Sequence, residues 1–135
     1  MSLTAAGIDC AATDCDVTDD RSVSRVIARA QQLGTVTSIV HTAGVSPTMG
    51  SAEKIVRINA LGTVLVDEAL YEIATPGMSL VNVASVAGHQ LPGAFTPKRR
   101  YRRSLTDPDR FCRDLVELCN LAPSRLRSQI AYVWP

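Results

Sequence analysis

A chain of 135 residues, 46% apolar and 20% charged, has the size and composition of one ordinary globular domain, which excludes disorder as a description of the whole. Fourteen basic residues against thirteen acidic ones leave a net charge of +1, too even a balance for a dedicated nucleic-acid binder, so no nucleic-acid partner is expected. No apolar run reaches membrane-spanning length and the Met1–Thr4 start carries no leader pattern, so the expectation is a cytoplasmic protein without a membrane partner.

Residues 10–17 (CAATDCDV) read as a short strand ending at Asp16-Val17. Thr18 is placed as a helix N-cap, with Asp19 and Asp20 putting negative charge into the first turn. Val23, Val26, Ile27, Ala30 and Leu33 then recur at helical spacing up to Gly34. Val36–Val40 reads as a buried strand, left by the turn His41-Thr42-Ala43-Gly44. A long helix is predicted from about Ser51 to Ala74, closed by Pro76-Gly77, with Asn59 and Gly62 poor choices for its interior. Ser79–Val83 forms the next apolar strand and runs into Ala84-Ser85-Val86-Ala87-Gly88. Strands that lack strict alternation and alternate with helices predict an α/β fold, a parallel sheet covered on both faces.

The pattern changes near Gly93. Residues 98–127 hold nine of the basic residues and four of the acidic ones, so this stretch is +5 and the remainder −4. Residues 89–106 read as a solvated loop with a basic cluster, Lys98 to Arg103. Asp107-Pro108 is an N-cap followed by proline at the first helical position, opening a short helix with Phe111, Leu115 and Leu118 on its apolar face. Pro123 breaks it, and Ser124 is placed to start another helix. The four cysteines, Cys10, Cys15, Cys112 and Cys119, show no metal spacing and read as buried or half-buried thiols in a reducing compartment; no metal site is expected.

In open parallel sheets, ligands bind at the carboxyl ends of the strands. Three such ends are readable here: Asp16-Val17, Thr42-Ala43-Gly44 and Ser85. Together with Asn59 inside the helix motif R-I-N-A-L-G-T and Ser85 in V-N-V-A-S-V-A-G, they make residues 15–88 resemble the middle of a short-chain dehydrogenase/reductase. The resemblance implies a Rossmann-like, doubly wound sheet and NAD(P)-dependent interconversion of a secondary alcohol and a ketone, hydroxysteroid-like substrates included. It implies that Asp16 and Val17 contact the adenine of NAD or NADP, and that Ala43 and Gly44 let the backbone approach the cofactor. It further implies that Asn59 holds a water in a proton relay and that Ser85 binds the substrate oxygen. His41 stands where the family has the first asparagine of its turn and reads as structural.

The departures are as informative. The family opens with a strand and a glycine-rich loop that cradles the pyrophosphate at a helix N-terminus; here Gly7 is the lone early glycine, so the chain reads as lacking the first two strands. The strand that would separate NAD from NADP is one of them. The family's base is a tyrosine followed four residues later by lysine. Tyr101 has Leu105 at that place; Tyr132, 47 residues after Ser85, would have its lysine one residue beyond Pro135. Tyr132 fits better, with residues 89–127 as a long insertion, residues 1–88 as a partial core and 128–135 as the start of the tyrosine helix. Tyr101, or no working tyrosine, remains open. The lysine matters because tyrosine ordinarily titrates near 10, and a neighbouring ammonium favours the phenolate a base needs. The reading is an oxidoreductase truncated at both ends, or alternatively a non-catalytic remnant or association module. The uncovered flank of the Val36–Val40 strand is expected to drive self-association.

Overall fold

A computed structural model of the chain describes residues 4–89 and 96–134. The first long element, α1 (Asp20–Leu33), starts one residue later than expected. Its N-cap is Asp19, whose carboxylate accepts from the Arg21 N–H at 3.2 Å. The Thr18 hydroxyl is already spent on the Asp16 carboxylate, to which it donates at 2.8 Å.

Among the described residues two strands form the sheet: β1 (Ser38–His41) and β2 (Ser79–Asn82), parallel and in register from Ser38 opposite Ser79 to His41 opposite Asn82. Between them lies one continuous helical run. It begins with α2 (Ala52–Val56), capped by the Ser51 hydroxyl on the Lys54 N–H, and ends with α3 (Gly62–Ile73). The middle, Arg57–Leu61, is a π-turn in which the Gly62 N–H reaches back five residues to the Arg57 carbonyl. The run closes before a turn in which Met78 N–H bonds the Thr75 carbonyl; Gly77, at φ +94°, occupies the left-handed position that follows proline in a type II turn.

The strand expected over residues 10–17 is not there; the segment is irregular. A strand exists only with a hydrogen-bonded neighbour. In a sheet ordered 3-2-1-4-5-6 the third strand pairs with the second, not with the fourth. Among the described residues nothing offers residues 10–17 that ladder, and the backbone turns at Asp16 instead, with Thr18 N–H on its carboxylate at 2.9 Å. Asp16 is held below the usual carboxylate range first by that N–H and then by the Thr18 hydroxyl.

The sheet is also not covered on both faces. Ile39, His41, Leu80 and Asn82 alternate onto the side of α3, where Ile39 joins the core and His41 is buried. On the opposite side Val40 is 60% exposed, Val81 49% and Val83 62%. Val17 does pack closely: a methyl group on Gly62 would lie 2.9 Å from Val17 Cγ2, so any side chain at the start of α3 would push the segment aside.

The core sits among helices. Val23, Ile55, Val56, Leu61, Leu65, Phe111, Leu115 and Ala131 form one buried cluster. Two further helices complete it, α5 (Pro108–Asn120) and α6 (Ser124–Val133), joined to the rest by α4 (Lys98–Tyr101). α5 has the expected Asp107 cap, which accepts from the Arg110 N–H at 2.9 Å, and proline at its first position. The basic cluster expected as loop is instead the single turn α4 and the bend after it. Its charge is partly used: Arg100 donates to the Asp114 carbonyl at 2.6 Å and Arg103 pairs with the Asp114 carboxylate, tying α4 to α5. The change of character near Gly93 lies outside the described residues. Cys112 and Cys119 share the buried face of α5, whereas Cys10 and Cys15 are exposed rather than buried, because the segment that carries them joins no sheet.

Candidate active site

β1 and β2 run parallel, so their carboxyl ends open on one edge, and the segments that leave them line a cavity of about 540 Å³. His41, Ala43 and Gly44 come from the end of β1, Asn59 and Thr63 from the helical run, and Ser85 from the segment after β2. Tyr132 closes the set from α6.

Tyr132 Oη lies 2.9 Å from Ser85 Oγ, although the two residues are 47 apart in the chain. Ser85 Oγ also accepts from the Ala87 N–H at 3.1 Å. Two accepted bonds occupy its lone pairs and leave its own proton to donate to a third oxygen in the cavity. Tyr132 is placed by the docking of α6. Ala131 beside it is fully buried, Ser128 Oγ donates to the Gly50 carbonyl at 3.1 Å, and Tyr101 Oη donates to the Trp134 carbonyl just beyond the helix.

Tyr101 also lines the cavity, but its hydroxyl is engaged there and its ring stacks at a tilt on Phe111, centroids 5.6 Å apart. Burial first, and then the nearby Cys119, push its phenol up to about 12, so it is the wrong tyrosine to give up a proton. Burial likewise holds the Cys119 thiol up at about 11 and raises that of Cys112, which leaves neither as a nucleophile.

Asn59 sits in the π-turn with its amide clamped on one backbone residue. Its Oδ1 accepts from Val45 N–H at 2.9 Å and its Nδ2 donates to Val45 C=O at 3.0 Å. The turn 42–46 is thereby fixed against the helix. Gly44 lies beneath it: a Cβ there would touch Asn59 Oδ1 at 3.5 Å, an ordinary contact, so the turn itself tolerates a side chain. Asp16 lies outside this cavity, on a second hollow with Thr18, Lys54 and Arg57. Val17 lies against Gly62.

Thr63 lines the cavity, and Asp67 holds Asn82 beside it; neither was read from sequence as part of the site. Thr63 and then Asp67 follow Asn59 at successive steps of four, which lines the three up on one face of the helix, and that spacing is the signal that marks them. His41 stands opposite Thr63, with Nε2 3.3 Å from its hydroxyl.

A serine–tyrosine hydroxyl pair thus stands at the carboxyl edge of the parallel β1–β2 pair. A family model described as enoyl-(acyl carrier protein) reductase matches residues 2–96, most of the chain, and the protein belongs to the short-chain dehydrogenase/reductase family. No curated protein matches it. Tyr132 lies beyond the matched span and is placed by the geometry alone.

The family's dinucleotide needs a place for its pyrophosphate. Among the described residues the N-terminus of α1 carries Asp19 and Asp20, with Asp16 close before them. Carboxylates at a helix N-terminus occupy the position that an anion would take. That closes the N-terminus of α1 to a diphosphate; standing after Asp16-Val17, α1 is not the helix on which the family's glycine-rich loop opens.

Proposed function

We propose that the cavity is the substrate end of an NAD- or NADP-dependent oxidoreductase site that interconverts a secondary alcohol and a ketone. The hydroxyl pair carries this reading: Tyr132 Oη stands 2.9 Å from Ser85 Oγ. Ser85 would donate its free proton to the substrate oxygen, and Tyr132, as phenolate, would take the alcohol's hydroxyl proton, while the nicotinamide, when bound, would supply the acceptor for the hydride. Ala43 and Gly44 flank the reacting centre, Asn59 holds the turn that carries them, and Asp16 and Val17 serve the adenine end. The β1–β2 pair is read as part of a larger Rossmann-like, doubly wound sheet. Residues 1–88 then supply a partial core, residues 89–127 an insertion, and residues 128–135 the start of the tyrosine helix.

The mostly apolar wall supports an apolar substrate, hydroxysteroid-like alcohols among them. The matched family model takes its description from enoyl-(acyl carrier protein) reduction, so an enoyl substrate is the second to test. A reducing, cytoplasmic setting suits four cysteines that make no disulfide; among the described residues no helix is long and apolar enough to cross a membrane. The bare valine face of the sheet supports self-association, and no nucleic-acid partner is proposed.

The bare valine face of the sheet favours a second reading for the 135-residue polypeptide: a non-catalytic remnant or association module on the same scaffold. A fluorescence titration with reduced nicotinamide dinucleotide separates the two. Saturable binding supports the enzyme site; absence of binding supports the remnant.

A further inference from the structure

Helix α3 meets the sheet through apolar side chains, with one polar line running through them. Asn59, Thr63 and Asp67 follow one another four apart on the face turned to the strand ends. Opposite them stand His41 and Asn82, register partners at the ends of β1 and β2. Asn82 Nδ2 donates to the Asp67 carboxylate at 3.0 Å, and Thr63 faces His41. Each strand end is thus latched to the same helix face, one turn apart.

The direction of the His41–Thr63 bond follows from counting protons. A threonine hydroxyl has one hydrogen to give. Thr63 Oγ1 gives it to the Asn59 carbonyl, 2.9 Å away. Toward His41 the hydroxyl can then only accept, so His41 Nε2 must carry a hydrogen. The bonds run one way, from His41 through Thr63 to the backbone of Asn59. They end in the π-turn, where the backbone bond has shifted to the fifth residue and a side-chain donor supports a carbonyl of the loosened turn.

We infer that His41 and Thr63 are positioning residues for Asn59, holding the π-turn so that its amide clamps Val45 and fixes the 42–46 turn under the hydroxyl pair. Neither touches Ser85 or Tyr132. Their role reaches the reaction through the Asn59 amide, with its bonds of 2.9 and 3.0 Å to Val45. His41, 7% exposed at the end of β1, is thereby more than a space-filling core residue. As a role in a substrate site this inference rests on the reading of the cavity given above; the hydrogen-bond relay itself does not.

The test uses the full chain labelled with ¹⁵N-histidine. Only His41 and His89 contribute signals, and His89→Gln assigns them. At pH 7.5 the expected result is a neutral His41 with the hydrogen on Nε2; a hydrogen on Nδ1 alone overturns the relay. Exchange of the Val45 amide is then followed in Thr63→Val and Thr63→Ser. Thr63→Val should speed it about three- to tenfold, the effect of losing one net hydrogen bond, while amides of α5 keep their rates and Thr63→Ser stays like the parent. An unchanged Val45 rate in Thr63→Val, or Thr63→Ser behaving like Thr63→Val, overturns the proposal. The wild-type tautomer decides the matter even if a variant fails to fold. A failed nicotinamide titration would remove the enzyme reading and leave these results standing, so the two failures are distinguishable.

Discussion

The helical half of the molecule and its sheet are built to different standards. Around α2, α5 and α6 the side chains of Ile55, Phe111, Leu115, Cys119 and Ala131 are almost wholly withdrawn from water. The sheet has two short strands, one face against α3 and the other a bare row of valines. Yet the candidate site needs both, since Ser85 follows β2 and Tyr132 rides on α6. The contrast teaches that the hydroxyl pair is held from the helical side. The polar line from His41 and Asn82 to α3 ties the weaker half to the stronger one at the strand ends, where register matters most for the cavity.

Mutations that respect this contrast should differ sharply in cost. Leu115→Ala, at a residue with no exposure, should lose about 2–5 kcal/mol and melt the helical half, read in a thermal or urea unfolding curve. A loss below about 1 kcal/mol would show that the core does not lie there. Next in size is Gly62→Ala. The added methyl meets Val17 Cγ2 at 2.9 Å, and overpacking of this kind costs about 1–3 kcal/mol. Val17→Ala in the same chain should restore much of it; a double variant as unstable as the sum of the singles would deny the contact.

Acidity probes the joint between the halves. Burial holds His41 below the ordinary histidine value, while Asp67 pulls the other way. A depressed folded pKa means that the unfolded chain binds the proton more readily. Stability is therefore full above about pH 6.5 and falls as acid is added through the folded pKa. The melting temperature of the parent should drop between neutral and mildly acidic pH, and His41→Asn should flatten that drop. A parent that gains stability over this range would contradict the sign.

The smallest effect on folding belongs to the bare face. Val40→Lys or Val81→Lys should change stability by no more than about 0.5 kcal/mol, the usual range for exposed positions. The same changes should weaken concentration-dependent association in sedimentation. Association that survives both would place the contact elsewhere.

Much of this was legible because it is local. The cap at Asp107-Pro108, the helical spacing through α1 and α5, and the two apolar strands all announce themselves within a few residues. Asn59 was conspicuous as a poor helix former in a helix interior, and it proves to sit in the π-turn. What was not legible depends on partners remote in sequence. Residues 10–17 have strand-like letters, but no letter says whether a neighbouring strand stands beside them. Burial of β1 and β2 on both faces was inferred from their apolar content, which cannot say what covers them. The α4 turn needed Asp114, eleven residues after Arg103, to absorb part of its charge. Thr63 was visible at the fourth residue after Asn59, yet its meaning required His41 across the helix–sheet interface.

The central claim is that Tyr132, not Tyr101, pairs its hydroxyl with Ser85. Nuclear Overhauser contacts from selectively labelled tyrosine rings test it most directly in solution. The account predicts contacts from the Tyr132 ring to the Ser85 β-protons, as their 2.9 Å hydroxyl separation requires, and from the Tyr101 ring to Phe111. A Tyr132 ring silent toward Ser85, with Tyr101 in contact with it instead, would contradict the account.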